Sequence, residues 1–361
     1  MLNYALTIVI LFCIYLIVRK YVLKPSPSDT PAGAIVMACG IFINGAMKNI
    51  KVLENSIGSL SALLLLLLWI FIWSSFLGSI IKGNFNELHL KNPIKSFAIG
   101  TWVAGTSVCG IAVYQRLPGL RFISYFLFFI GLAIWLFYLW VVVKGYKNIF
   151  SKNLQNKVNG VILLSTVSTQ SLVVFWSTIF NKSYLIGASR FMISLGAVFY
   201  VIAFVIIIKR YFFSRSWSVE EDWQNTNCIL HGAMSITGLA SVTSGAVGSS
   251  LILAIWLWII LWFVIVEIIE VYRAIKRINK YGFLKGVGIY DVSQWSRIFT
   301  FGMFYAFTMR FDIKHSAFSN IYLLAVQNFI LKNGTAVMVF ILIVEGILFF
   351  SYESRGRGKT I

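Results

Sequence analysis

Ser165, Thr166, Ser168, Thr169 and Gln170 put four hydroxyls and an amide within six residues of an otherwise apolar stretch, the densest such patch in the sequence. Uncharged donors like these either bond one helix to another or line the route of a solute that has shed part of its water. His231, beside Gly232, is open to three uses: an anion contact, a pH sensor or an interhelical hydrogen bond. Glu345 is an acid inside an apolar run, which marks it as a candidate functional group or as one partner of a structural pair, with Arg190 or a backbone group opposite. Glu267 and Glu270 precede Arg273 and Arg277 at helical spacing, so i,i+3 and i,i+4 pairs are expected there. The stretch Trp217 to Asn225 holds the one acidic cluster and reads as a solvated loop.

Chemistry that makes or breaks bonds finds little material. The 12 acids are scattered, and no DxxxD, HExxH or Walker loop occurs. Cys13, Cys39, Cys109 and Cys228 stand singly, with no CxxC, and read as small packing residues. A non-enzyme without metal or cofactor is expected.

The elements that position these groups follow from composition. Hydrophobic residues make up 59% of the 361 and charged residues 12%, about half the share of a soluble domain. The chain is therefore expected to be an all-α polytopic membrane protein. Apolar runs predict eleven spans, near 3–23, 31–49, 59–81, 95–114, 121–143, 158–180, 185–208, 227–246, 249–272, 294–311 and 335–351.

The net charge of +19 reads as topology, not as nucleic-acid binding. If all eleven segments cross, one side collects 21 Lys and Arg and the other 8, while Arg190 and Arg297 lie inside spans. The positive-inside rule makes the 21-charge side cytoplasmic, with the C-terminus there. The domain plan is an uncleaved anchor and linker (1–30), a ten-helix core (31–351) and a basic cytoplasmic tail (352–361), in a multi-pass protein of the cell membrane with lipid around it.

Within the core, odd helices are small and polar and even ones greasy. "SFAIGTWVAGTSVCGIAV" (Ser96 to Val113) contrasts with "YFLFFIGLAIWLFYLWVVV" (Tyr125 to Val143), and "NCILHGAMSITGLASVTSG" (Asn227 to Gly245) with "LILAIWLWIILWFVIV" (Leu251 to Val266). Leu and Trp suit lipid, whereas Gly, Ser, Thr and Asn at that depth need protein or water beside them. Five inner helices around a polar, uncharged path are the expectation. Its lining is assigned to Gly40, Asn44, Gly105, Thr106, Ser165, Ser168, Thr169, Gln170, His231, Ser235 and Thr237.

Four strings, in order, resemble the tellurite-resistance/dicarboxylate transporter family, which includes plant slow anion channels, a malate permease and a sulfite pump. They are "DTPAGAIVMACGI" (Asp29 to Ile41), "FAIGTWVAGTSVCG" (Phe97 to Gly110), "NGVILLSTVSTQSLVV" (Asn159 to Val174) and "WSRIFTFGMFYAFT" (Trp295 to Thr308). The resemblance implies five helical hairpins in quasi-fivefold array, odd helices lining a central pore, assembly as a homotrimer, and passage of small anions. The cargo would be a dicarboxylate such as malate, or sulfite, nitrate, chloride or tellurite, and a proton-coupled carrier is the alternative to a channel.

The resemblance also implies a ninth-helix phenylalanine that plugs the pore. Matching without gaps makes it Phe299, but Thr300 and Phe301 stand where the family has proline and leucine, so either ring is a candidate plug. Thr300 and Gly302 are expected to let that helix bend without proline.

Overall fold

The computed structural model describes residues 28–213, 217–314 and 320–354. The anchor helix expected over 3–23 and most of the basic tail lie outside them. Among the described residues there is no strand, and ten helices of 12 residues or more form the body.

Five are short: α1 (Gly33–Asn44), α3 (Gly100–Arg116), α5 (Leu164–Ile179), α7 (Ile229–Ser244) and α9 (Trp295–Arg310). The intervening five are α2 (Lys51–Ile81), α4 (Arg121–Ser151), α6 (Ile186–Ile208), α8 (Ser249–Tyr281) and α10 (Ile321–Ser354). Among the described residues, eight helical segments are long and apolar enough to cross a membrane. The helices α7 and α9, at 16 residues each, owe their smaller apolar length to the neighbours that screen them from lipid. The last span differs most from expectation: α10 begins at Ile321, so Lys332, assigned to a loop, lies within it.

The odd helices close a ring, in which α1 packs on α3, α3 on α5, α5 on α7, α7 on α9, and α9 back on α1. Each is preceded by a short 3₁₀ turn, at Thr30–Ala32, Lys95–Ile99, Gly160–Leu163, Asn225–Cys228 and Val292–Gln294. These five turns touch one another in the same cyclic order. All five inner helices therefore start at one end, which also carries the longer loops, and finish at the other, the short-loop end. The even helices sheathe the ring and present Leu64, Phe126, Phe191, Leu257 and Phe340 outward, where lipid would stand.

Small residues make the ring tight. A Cβ on Gly33 would lie 2.6 Å from the Thr101 hydroxyl and 2.9 Å from the Thr101 carbonyl carbon, so α1 and α3 cross at backbone contact. Indole N–H groups on the sheath tie it to hydroxyls on the ring: Trp69 donates to Thr106 (2.9 Å), Trp135 to Thr169 (3.0 Å) and Trp256 to Thr308 (3.0 Å). Each such bond contributes about 0.6 kcal/mol in a membrane setting and satisfies two polar groups that lipid could not.

Candidate functional site

Inside the ring lies a narrow axial cavity of about 20 Å³, to which every inner helix contributes. Its wall is Ile41 and Asn44 from α1, Ser107, Val108 and Ile111 from α3, Ser171 and Val174 from α5, Ile236 and Leu239 from α7, and Met303, Ala306 and Arg310 from α9. It occupies the half of the ring toward the short-loop end. The wall is mostly apolar, with a belt made by Asn44, Ser107 and Ser171, whose hydroxyls stand 3.4 Å apart in the case of the two serines. Arg310 adds a fixed positive charge, which replaces the uncharged path expected from composition.

Phe299 precedes Met303, Ala306 and Arg310 by four, seven and eleven residues, so all four share one stripe of α9. Phe299 is 1% exposed and Met303 2%, so neither side chain is reached by water. Phe301 sits about 200° further round the helix. It packs on Phe263 of α8, ring centroids 4.8 Å apart, and lies 6.1 Å from the His231 ring, on the side away from the axis.

Thr300 donates to the Arg297 carbonyl one turn back (3.0 Å), and its methyl meets Gly232 of α7. Gly302 is filled by Ile41 and Met338, so its missing side chain permits α1 and α10 to approach; α9 runs on as one helix through both residues.

Of the residues assigned to the lining, Asn44 borders this cavity and the others do not. Asn44 reaches the cavity, with its amide donating to the Val108 carbonyl (2.8 Å). Gly40 and Gly105 lie at the α1–α3 crossing, against Val108 and Val36. Thr106 and Thr169 accept the sheath indoles, and Gln170 donates to the Ile193 carbonyl of α6 (3.1 Å). Ser165, Ser168, Ser235 and Thr237 bond back to carbonyls of their own chain segment, three or four residues earlier. His231 faces Glu267 of α8 across 3.9 Å.

A family model described as a voltage-dependent anion channel matches residues 30–351. The chain belongs to that family. Among curated proteins, none matches it. Membership in the voltage-dependent anion channel family carries anion transport across a membrane, and the match covers the ring and nearly all of the sheath.

For a member of this family, the charges at the two ends of the ring are of interest. At the loop-rich end Arg297 of α9 is held by Glu267 (2.6 Å) and Glu270 (3.2 Å) of α8, and Glu270 also takes Arg273 (2.8 Å), as its spacing predicts. Glu267 pairs across helices and not with its own. At the short-loop end Arg116 pairs with Glu54 (2.8 Å), donates to the Ile43 carbonyl (2.6 Å) and reaches Asn44 (3.4 Å). Glu345 is buried on α10, outside the ring, while Arg190 donates to the Ala246 carbonyl.

Sequence reasoning missed Ser107, Ser171 and Arg310. The signal that could have found them is phase: Ser171 and Arg310 lie about 200° round the helix from Thr169 and Thr308, which take indoles, and Ser107 about 100° from Thr106.

Proposed function

We propose that this chain passes small anions across the cell membrane along the axis of its five-helix ring, and that the state described here is shut by Phe299. The observation that supports the reading is the stripe of α9 that Phe299, buried, shares with Met303, Ala306 and Arg310, three residues that line a cavity to which all five inner helices contribute. Electrostatics supports it. Five helix N-termini, each equivalent to about half a positive charge, converge at the loop-rich end, and Lys48, Arg116 and Arg310 gather at the other. An anion is attracted at both mouths and meets no acid between them, and a path without tight sites lets it leave as readily as it enters.

The loop-rich end is cytoplasmic on this reading, because it carries the Lys- and Arg-rich loops. Malate-like dicarboxylates, sulfite, nitrate, chloride and tellurite are the cargo classes proposed, and a trimer with one path per subunit rests on resemblance alone. A proton-coupled carrier would want a titratable group on the axis. His231 and Glu345 both lie off it, which favours the channel.

The test is current or flux through the purified protein in liposomes, run through that panel of anions with and without a pH gradient. Anion-selective current independent of the gradient is expected. Cation selectivity, or flux that requires the gradient, would overturn the reading.

A further inference from the structure

The axial cavity ends on a cation that nothing in the ring neutralises. Arg310 lies at the C-terminal end of α9, lines the cavity, and donates to the Thr243 hydroxyl at 3.4 Å. No ion pair reaches it among the described residues, whereas Arg116, Arg210, Arg273 and Arg297 each have a carboxylate within 4.0 Å. A guanidinium has five N–H donors in a planar fork, and removal from water without an acceptor is costly. Arg310 is half-buried and its fork gives one N–H to Thr243, so its other donors stay open to water or to an anion.

A second cation stands near. Lys48 donates to Gln115 (2.8 Å) and is within electrostatic reach of Arg310 and Arg116, and more weakly of Glu54. It lines an open vestibule of about 410 Å³ together with Glu54, Gln115, Arg116 and Arg121. Glu54, the acid of that vestibule, is already bound by Arg116. Asn44 links the two spaces, because it lines the cavity while its carbonyl oxygen accepts from Arg116.

We propose that Arg310, with Lys48 behind it and the Asn44 amide beside it, is an anion-binding station at the short-loop end of the path, shaped for small planar oxyanions over chloride. The proposal deepens the pore reading and rests on it. A fork of parallel N–H groups matches two oxygens of a carboxylate or nitrate, while a spherical halide engages it as a point charge. The apolar wall on the inner side and the hydrated vestibule on the outer side give the station a dry face and a wet one. An anion held there is poised between the two.

The experiment uses the full chain, reconstituted, with nitrate and chloride as probes. Half-saturation of current and the nitrate-to-chloride permeability ratio are measured for the wild type, Arg310→Gln, Arg310→Lys and Lys48→Gln. Arg310→Gln is expected to raise half-saturation by about tenfold or more, the loss of a charge-assisted contact, and to bring the ratio toward one. Arg310→Lys keeps the charge, so affinity stays within a few-fold while the preference for nitrate falls. Lys48→Gln shifts affinity less than Arg310→Gln.

Wild-type half-saturation and ratio in Arg310→Gln would overturn the proposal. Should that variant fail to fold, an undiminished nitrate preference in Arg310→Lys overturns it equally. Thermal unfolding in detergent separates the station from the pore: nitrate stabilises the wild type more than chloride does, and the difference vanishes in Arg310→Lys. A wild type that shows this difference but carries no current would defeat the pore reading and leave the station standing; absence of the difference defeats the station.

Discussion

Replacing Phe299 by alanine tests the shut state most directly. The ring is 1% exposed and shares its stripe with Met303 and Ala306, each 2% exposed, so an anion at that level has no water and no fixed charge beside it. The nearest hydroxyl on α9, Thr300, is committed to the Arg297 carbonyl, and its side chain faces Gly232. Stripping a small anion there costs several kcal/mol. Truncation to alanine joins the space of the ring to the narrow cavity of about 20 Å³ and makes room for two or three waters at about 30 Å³ each. If rehydration removes about 3 kcal/mol of that barrier, current rises roughly 100-fold.

The same change removes a buried aromatic, so stability falls by up to about 3–5 kcal/mol, and by less to the extent that water fills the gap. Single-channel recording gives the current, and a size-exclusion profile shows whether the variant is folded. Phe301→Ala, on the opposite face, serves as the control and is expected to leave conductance within a few-fold. A folded Phe299→Ala with wild-type current, or a Phe301→Ala that opens as widely, would refute the assignment.

Three further outcomes are expected. Glu267→Gln loosens the hold of α8 on the start of α9; Arg297 keeps Glu270 and both partners are about one-fifth exposed, so the loss is about 1–2 kcal/mol, read as a Tm drop of a few degrees, and an unchanged Tm would count against the clamp. His89, outside the spans, accepts or donates one bond with the Thr30 hydroxyl (2.9 Å) among Phe76, Phe85 and Trp102, and burial, with Lys95 nearby, lowers its pKa from 6.5 to about 4. The unfolded chain therefore takes up a proton first, so stability is lost as pH falls from 6.5 toward 4 and is flat above that window; His89→Phe should flatten the lower limb in a Tm-against-pH series. Gly33→Ala drives a methyl into the Thr101 backbone, which cannot swing aside, and should cost about 2 kcal/mol or more, seen as reduced thermal stability; tolerance would mean that α1 and α3 can separate.

The alternation of greasy and small-residue helices was readable from composition because lipid and protein make opposite demands on side chains, and it maps onto sheath and ring. What the composition hid was direction. A hydroxyl at membrane depth is satisfied equally by water in a lumen or by a neighbouring indole, and the two look alike along the chain. Thr106 and Thr169 meet Trp69 and Trp135, more than thirty residues earlier, so only the folded arrangement assigns them. His231 looked available for the lumen for the same reason, and Glu267 claims that side of α7 instead. Arg310 stands at the very end of the 294–311 span, where the sequence does not show that its helix phase carries it to the cavity.

The sheath segments run to 31–34 residues, about 47–51 Å as helix, against a hydrocarbon layer of about 30 Å. Rods that long meet thin and thick bilayers by leaning, at fractions of a kcal/mol per ångström of mismatch. The ring is braced by its own backbone crossings, so the lean is taken up outside it. The aperture should then keep one calibre in membranes of different lipid length, with the periphery acting as its suspension.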